Sequence, residues 1–190
     1  DIRAIGLELA RIAIKLINPG CQNEIAIWDN GSGTCGGTHE EILTKQEAER
    51  LVANVHGDFD CPGYYQGFYD WIEDEAAEIL SKCNDINIAL DGLTELSDAA
   101  AASLGQHEGE YISLNGLTEL SDAAAKSLGQ HEGILILNGL TSLSDAAAEN
   151  LNRHKGYLNL RGLTELSDTA AVGLAKHKGW GLDLYGLTSL

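Results

Sequence analysis

One strand–turn–helix pattern recurs through the second half of the chain at a spacing of 23 to 24 residues. Complete copies begin at Gly92, Gly116, Gly139 and Gly162, and a fifth begins at Gly186. The second copy reads GLTELSDAAAKSLGQHEGILILN. A unit this short cannot bury its apolar side chains alone, so neighbouring copies must stack to form one core. The periodicity therefore restricts the chain to a repeat architecture.

Each copy carries signals for one strand and one helix. Alternating pairs such as Leu135/Leu137 predict a short strand with one buried face, and the glycine that follows suits a tight bend. Ser121 occupies the position of a helix N-cap, and an aspartate follows it near the positive end of the helix dipole. We expect the alanine-rich helix to end at the glycine two residues after the histidine, which is Gly133 in this copy.

The pattern L-x-L-x-G-L-T-x-L-S-D-A-A-A-x-x-L-x-x-H-x-G resembles the short bacterial class of leucine-rich repeats. The resemblance implies an α/β solenoid with parallel strands on one face and short helices on the other. The resemblance covers residues 72–190, of which residues 72–91 are a degenerate copy of the repeat. The sequence differs from that family in placing Leu117, Leu140 and Leu163 where an asparagine ladder is usual. How the turn after each strand is hydrogen-bonded therefore stays open.

Two regions follow from where the repeat is clear. We interpret residues 1–71 as a divergent N-terminal cap with degenerate units, clipped by disulfides, and residues 72–190 as the solenoid. The solenoid stops at Leu190 without a polar terminal unit to shield its last apolar layer. We expect either further repeats beyond Leu190 in the natural protein or docking of this end on a partner.

Within the N-terminal region the sequence predicts a helix over 2–17, a strand over 25–28 and a helix over 44–55. Thr44 with Glu47 forms a capping-box pattern at the start of the last helix. The remaining glycine-rich and aromatic stretches are interpreted as insertions, at residues 29–38 and 57–71.

The cysteines lie in the first half of the chain, and there are four of them: Cys21, Cys35, Cys61 and Cys83. An even number without a C-x-x-C pair favours disulfides in an exported protein over core thiols or a metal site. The pairs Cys21–Cys35 and Cys61–Cys83 close the shortest loops and are our prediction, although four cysteines allow three pairings. We therefore expect an extracellular or cell-surface location.

The charge is strongly negative, with 29 acidic against 12 basic residues and a formal net charge of −17. Such a surface repels phosphate backbones, which argues against nucleic acid and anionic membranes as partners. Cationic surfaces or divalent ions fit it better. No apolar run approaches the ~20 residues of a membrane helix. Because the chain contains no methionine, we expect Asp1 to follow a processing event.

Three motifs that carry chemistry in other proteins are weak here. Residues 31–36 match G-x-G-x-x-G, but the predicted helix starts only at Thr44, too late for its N-terminus to meet a pyrophosphate. A zinc site built on Cys35 and His39, with Cys21, His56 or Cys61, has unspecific spacing. Acidic residues at 58 and 60 lack an EF-hand ligand series, which leaves weak calcium binding open. We predict no cofactor and no enzymatic activity.

Two further sets of side chains have a structural and a functional interpretation. One histidine per unit predicts a stacked ladder, with each ring bonded to backbone, or alternatively a metal or pH-sensing site: His107, His131, His154 and His177. The aromatic residues of the N-terminal region either cover the end of the core or bind a carbohydrate or protein: Tyr64, Tyr65, Phe68, Tyr69 and Trp71. We favour the structural interpretation of both sets.

The units differ from one another mainly at the outward positions of the strands. Those positions place an apolar, aromatic and basic set on the open face of the sheet, namely Tyr111, Ile134, Tyr157, Arg161 and Tyr185. We predict that this set binds a protein or cell-surface ligand, although drift at unconstrained positions would give the same pattern. The chain is then a non-catalytic recognition module.

A second hypothesis is a subunit of a surface filament that self-associates and carries a leucine-rich-repeat headpiece. Residues 1–6, DIRAIG, resemble the segment after the membrane stem of type IV pilin-like proteins.

Overall fold

The computed structural model describes residues 42–55, 63–66, 69–84 and 86–189. In these residues the chain alternates between short strands and short helices. The strands are β1 (Ile42–Leu43), β2 (Gly63–Gln66), β3 (Trp71–Ile72), β4 (Ile86–Ala89), β5 (Tyr111–Ser113), β6 (Ile134–Ile136), β7 (Tyr157–Asn159) and β8 (Gly181–Asp183). The helices are α1 (Lys45–Val55), α2 (Asp74–Ser81), α3 (Asp98–Leu104), α4 (Asp122–Leu128), α5 (Asp145–Leu151) and α6 (Asp168–Leu174).

The strands form a six-stranded sheet in the order β2-β4-β5-β6-β7-β8, in which every neighbouring pair is parallel. Residues one repeat apart face each other, as in the series Ile112, Leu135, Leu158 and Leu182. The shorter β1 and β3 pair separately, also in parallel. The predicted α/β class and the parallel sheet are confirmed, and the repeated strand–helix units fit a solenoid.

The core runs between the sheet and the helices, and consecutive helices pack against each other. In the unit of α4 the strand, turn and helix leucines are all fully buried, as at Leu114, Leu117 and Leu128. A helix of seven residues such as α4 is too short to be stable alone, because isolated helices below about 12 residues are marginal in water. Stacking of the units therefore stabilises the helices.

The serine N-caps are confirmed, and each cap also bonds to the unit before it. Ser144 accepts a 2.9 Å hydrogen bond from the Ala147 N–H, and its hydroxyl donates at 2.5 Å to Asp122 Oδ1 of the preceding helix. The same two bonds recur at Ser97, Ser121 and Ser167. One hydroxyl thus caps its own helix and joins it to its neighbour.

The predicted ends of the helices are wrong. Helix α4 ends at Leu128, five residues before Gly133, and two tight turns follow, from Gln130 N–H to Ser127 O and from His131 N–H to Leu128 O. Gly133 instead meets the neighbouring unit, because a Cβ there would lie 2.4 Å from the backbone oxygen of Glu110. The glycine is needed for close packing between units.

The turn after each strand is closed by a backbone hydrogen bond across its glycine. In one unit the Leu140 N–H donates to Leu137 O at 3.3 Å, across Gly139. A Cβ at Gly139 would lie 2.2 Å from Asn115 O, so the glycine lets this turn approach the preceding one. Leu140 itself is fully buried, which explains why leucine occupies this position.

Repeat-like elements also occur upstream of residue 72. The predicted helix over 44–55 is confirmed as α1, which packs against α2, and Thr44 Oγ1 accepts from the Glu47 N–H at 3.3 Å. The interpretation of 57–71 as an insertion is wrong in part, because Gly63–Gln66 pair in register with β4. The helix and strand predicted at 2–17 and 25–28 lie outside the described residues, as does the segment 29–38.

Candidate protein-binding surface

Three of the predicted binding residues form one row across the middle of the sheet. Tyr111, Ile134 and Tyr157 are register partners on β5, β6 and β7, and all three are half-buried. We call these three residues the strand row. On β8 the row ends at Gly181, where a Cβ would lie 2.9 Å from the Tyr157 ring. The ring of Tyr157 therefore lies over the space that a side chain at 181 would occupy.

On β5 and β7 the next outward position is less exposed than the sequence pattern suggests. Ser113 is fully buried, and Asn159 is 9% exposed. The Ser113 hydroxyl donates to Asp91, and its oxygen accepts a 2.9 Å bond from Asn115 Nδ2. This serine is a structural residue. On β6 the same position is Ile136, which is half-buried like Ile134, so the strand row and Ile136 together carry the exposed apolar surface of β5 to β7.

A side-chain ladder joins the ends of the strands. The Asn115 N–H donates to Asp91 Oδ1, the Asn138 N–H to Asn115 Oδ1 and the Arg161 N–H to Asn138 Oδ1, each at 3.1 Å. This ladder lies two residues before Leu117, Leu140 and Leu163, the positions where the resemblance to leucine-rich repeats implies an asparagine ladder. The signal was available, because a side-chain oxygen occupies this position in three consecutive units.

Arg161 ends that ladder and starts a polar cluster. A guanidinium has no acceptor for the next backbone N–H, and the Tyr185 N–H bonds to Asp183 Oδ1 at 3.1 Å instead. Asp183 Oδ2 accepts from the Tyr157 hydroxyl at 3.0 Å and from Arg161 Nε at 2.7 Å. The guanidinium also lies 5.9 Å from the centre of the Tyr185 ring. Tyr157, Arg161, Asp183 and Tyr185 thus form one connected group, the carboxylate cluster.

The electrostatics of the carboxylate cluster favour an ionised Asp183. Partial burial opposes ionisation, but the donors from Tyr185 and Tyr157 and the charge of Arg161 hold the pKa of Asp183 below its usual value. Burial, and then the bond to Asp183, raise the pKa of Tyr157. The cluster therefore presents a neutral phenol, a cation and a carboxylate at neutral pH.

Exposure is greatest at the last described unit. Tyr185 is 88% exposed and Trp180 is 75% exposed. Trp180 was not predicted as a site residue. It precedes β8 and is an extra residue of a 24-residue unit, as Glu110 is before β5, whereas the 23-residue units have no counterpart. That difference in unit length was the available signal.

The four repeated histidines form a stack in the turns that lead from each helix into the next strand. Neighbouring ring centroids lie 6.1, 6.0 and 6.2 Å apart, with interplanar angles of 15°, 25° and 15°. His107 Nε2 faces the carbonyl oxygen of Ile86 at 3.0 Å, and His131 Nδ1 faces that of His107 at 2.9 Å. At His154 and His177 no ring nitrogen makes a hydrogen bond of full geometry, although the backbone of Gly133 and Tyr157 interacts with the His154 ring.

The other predicted site residues lie mostly outside the described part of the chain. These are Cys21, Cys35, His39, His56, Cys61, Phe68 and the motifs at 31–36 and 58–60. Cys83 is half-buried against the core. Because the other three cysteines lie outside the described residues, the disulfide pairing stays a prediction. Tyr69 packs against the core, and Trp71 is 48% exposed. In residues 42–55, 63–66, 69–84 and 86–189, no three potential ligands cluster as a metal site would require.

No known protein family matches this sequence, and a search of curated proteins finds no match. In the described ranges, no helix is long and apolar enough to cross a membrane.

Proposed function

We propose that this chain is an extracellular leucine-rich-repeat module that binds a protein partner across the open face of its parallel sheet, without catalysis. The observation that carries the proposal is the strand row, in which Tyr111, Ile134 and Tyr157 lie side by side in register and half-exposed. Tyrosine is enriched among the residues that contribute most to the energetics of protein interfaces, and Ile134 adds apolar area between the two tyrosines.

The chemistry around the row supports a partner with an apolar centre and basic edges. The carboxylate cluster borders the row at Tyr157, and it places the carboxylate of Asp183 beside the predicted contact Arg161. The formal net charge of −17 favours approach of a cationic surface. The disulfide-clipped cap belongs to the same proposal, because stable disulfides require an oxidising compartment.

Rigidity of the face also supports the proposal. The ladder from Asp91 to Arg161 and the N-cap bonds between helices fix each strand relative to the next. A surface held in this way loses little conformational entropy on binding, which favours affinity for a given area.

Site-specific photo-crosslinking tests the proposal. Benzoylphenylalanine is placed at Ile134 or Tyr185 on the sheet face, and at Lys126 or Val172 on exposed helix positions as matched controls. Crosslinking is done in the culture medium and on the surface of the producing cells. We expect a discrete crosslinked protein from the sheet positions alone. An excess of unlabelled chain should compete, whereas a chain carrying Tyr111→Ala with Tyr157→Ala should not. Crosslinks confined to the helix positions, or equal competition by the variant, would contradict the proposal.

A further inference from the structure

The middle of the histidine stack buries imidazole rings without a compensating charge. His131 and His154 are each 1% exposed. His131 Nε2 and both ring nitrogens of His154 make no hydrogen bond of full geometry, and the groups nearest to them are backbone groups rather than carboxylates. In the described ranges, the buried polar side chains are serine, histidine and asparagine, with no buried carboxylate. A proton added to either ring would therefore create a buried cation without a counter-ion, which is costly in a low-dielectric interior.

The charged groups at the turns around the rings are all exposed. They are Glu108, Glu110 and Glu132 in the first two turns, and Arg153, Lys155, Lys176 and Lys178 in the next two. Glu132 is paired with Lys155 at 2.6 Å, which partly neutralises it. His154 therefore lies between two other rings, with mainly cations on its own turn and on the turn that follows. Neither the core nor the surface offers it a dedicated anion.

The direction of the proton affinities agrees with this geometry. Burial, followed by the neighbouring His131 and His177 rings, lowers the pKa of His154 from 6.5 to about 4, and nearby backbone dipoles oppose this only in part. Burial also lowers the pKa of His131. In an unfolded chain both rings bind a proton near pH 6.5. Between pH 6.5 and about 4 the unfolded state thus holds more protons than the folded state, so stability falls as the pH falls.

We propose that the histidine stack is an acid-sensitive lock between the repeat units. At neutral pH the uncharged rings pack against each other and close the helix-to-strand turns. At mildly acidic pH the rings of His131 and His154 bind a proton when those turns open, so the open state becomes more populated, while the helix N-caps at the opposite end of the helices stay formed. The strands β6 and β7 begin three residues after these two rings, at Ile134 and Tyr157. Opening at the rings therefore loosens the start of the strands that carry the strand row.

The chain itself supplies a control side chain. Cys83 follows α2 as His107 follows α3, because the Cys83 N–H bonds to Leu80 O at 3.1 Å and the His107 N–H to Leu104 O at 3.0 Å. The position therefore accommodates a thiol, which stays uncharged below pH 7.5. His154→Cys removes the titrating ring at a position where the repeat already uses cysteine.

Urea unfolding at pH 7.5 and pH 5.5 tests the lock, in a range where carboxylates stay ionised. A ring that is protonated near pH 6.5 only when unfolded weakens folding about tenfold between these two values. We expect the folding equilibrium of His154→Cys to change about tenfold less over this range than that of the unaltered chain. An equal change in both proteins would overturn the proposal.

Two measurements on the unaltered chain keep the test decisive if the variant does not fold. In the folded protein the imidazole resonances of His154 should not titrate between pH 8 and 5.5, and those of His131 should titrate below pH 6.5. Hydrogen exchange, corrected for intrinsic rates, should show lower protection at pH 5.5 for the amides of these turns than at pH 7.5. Protection of the N-cap amide of Ala147 should not change. A His154 ring that titrates between pH 6 and 7 without loss of protection would overturn the lock.

Discussion

The hydroxyl of Tyr157 donates a 3.0 Å hydrogen bond to Asp183 Oδ2 on the neighbouring strand. Tyr157 therefore belongs to both the strand row and the carboxylate cluster, and its hydroxyl has a structural partner. Tyr157 has a part in both stability and the proposed recognition, and the two can be separated.

Removal of this hydroxyl should cost stability without removing the ring. Tyr157→Phe leaves Asp183 with one donor fewer, and we expect a loss of about 0.5–1.5 kcal/mol in the free energy of unfolding, measured by urea denaturation. Tyr185→Phe is the matched control, since this 88% exposed ring should change stability by less than about 0.5 kcal/mol. Equal effects of the two substitutions would show that the bond to Asp183 contributes nothing.

Loss of a cap serine should destabilise two helices at once. Ser144→Ala removes the acceptor for the Ala147 N–H and the donor to Asp122. We expect a cost of about 1–2 kcal/mol by urea denaturation. Ser142→Ala, at an exposed turn position of the same unit, should cost less than about 0.5 kcal/mol.

Aspartate should fail at this cap, although aspartate normally caps helices as well as serine does. Ser144→Asp would bring a second carboxylate to where the serine hydroxyl now lies, 2.5 Å from Asp122 Oδ1. We expect destabilisation at neutral pH, relieved in part by adding Asp122→Asn. A fully stable Ser144→Asp protein would mean that the helices do not depend on the bond between units.

Two glycines should respond to alanine with opposite signs. In Gly139→Ala the new Cβ would lie 2.2 Å from Asn115 O, and we expect a loss of about 1–3 kcal/mol. In Gly173→Ala the nearest atom is 3.4 Å away, and α6 should gain up to about 1 kcal/mol from helix propensity. Thermal unfolding of both variants checks the contrast, which losses of similar size would contradict.

The strand-end ladder should tolerate aspartate but not alanine. Asn138→Ala removes the 3.1 Å acceptor of the Arg161 N–H and leaves only the 3.3 Å bond to Asn159 Oδ1, whereas Asn138→Asp keeps an oxygen there, as Asp91 does at the equivalent position. We expect alanine to cost about 0.5–1.5 kcal/mol and aspartate to be nearly neutral. Amide exchange at Arg161 should accelerate in the alanine variant alone, and acceleration in both would contradict the ladder.

The repeat period was enough to predict the parallel stack, the core leucines and the serine caps. Those features depend on side-chain type, which the sequence displays in every unit. The partner of each polar atom depends on the neighbouring unit instead. The bond from Ser144 to Asp122 and the close approach of Gly133 to Glu110 O are contacts across units, and periodicity alone does not show which atoms meet. The burial of Ser113 was missed for the same reason, because Asp91 and Asn115 bond to it from outside its strand.

The bonds that join the units imply how such a chain can change its length. Asp91, Asn115 and Asn138 each offer a side-chain oxygen to the following unit, and Asn115 and Asn138 also receive the preceding unit's oxygen on their backbone N–H. Duplication or loss of a whole unit in this stretch would leave every donor facing an equivalent acceptor. Arg161 interrupts this interchangeability, because it receives a bond and cannot pass one on, and Asp183 satisfies the next N–H instead. Units before Arg161 are thus exchangeable parts, whereas Arg161 and Asp183 must be inherited together.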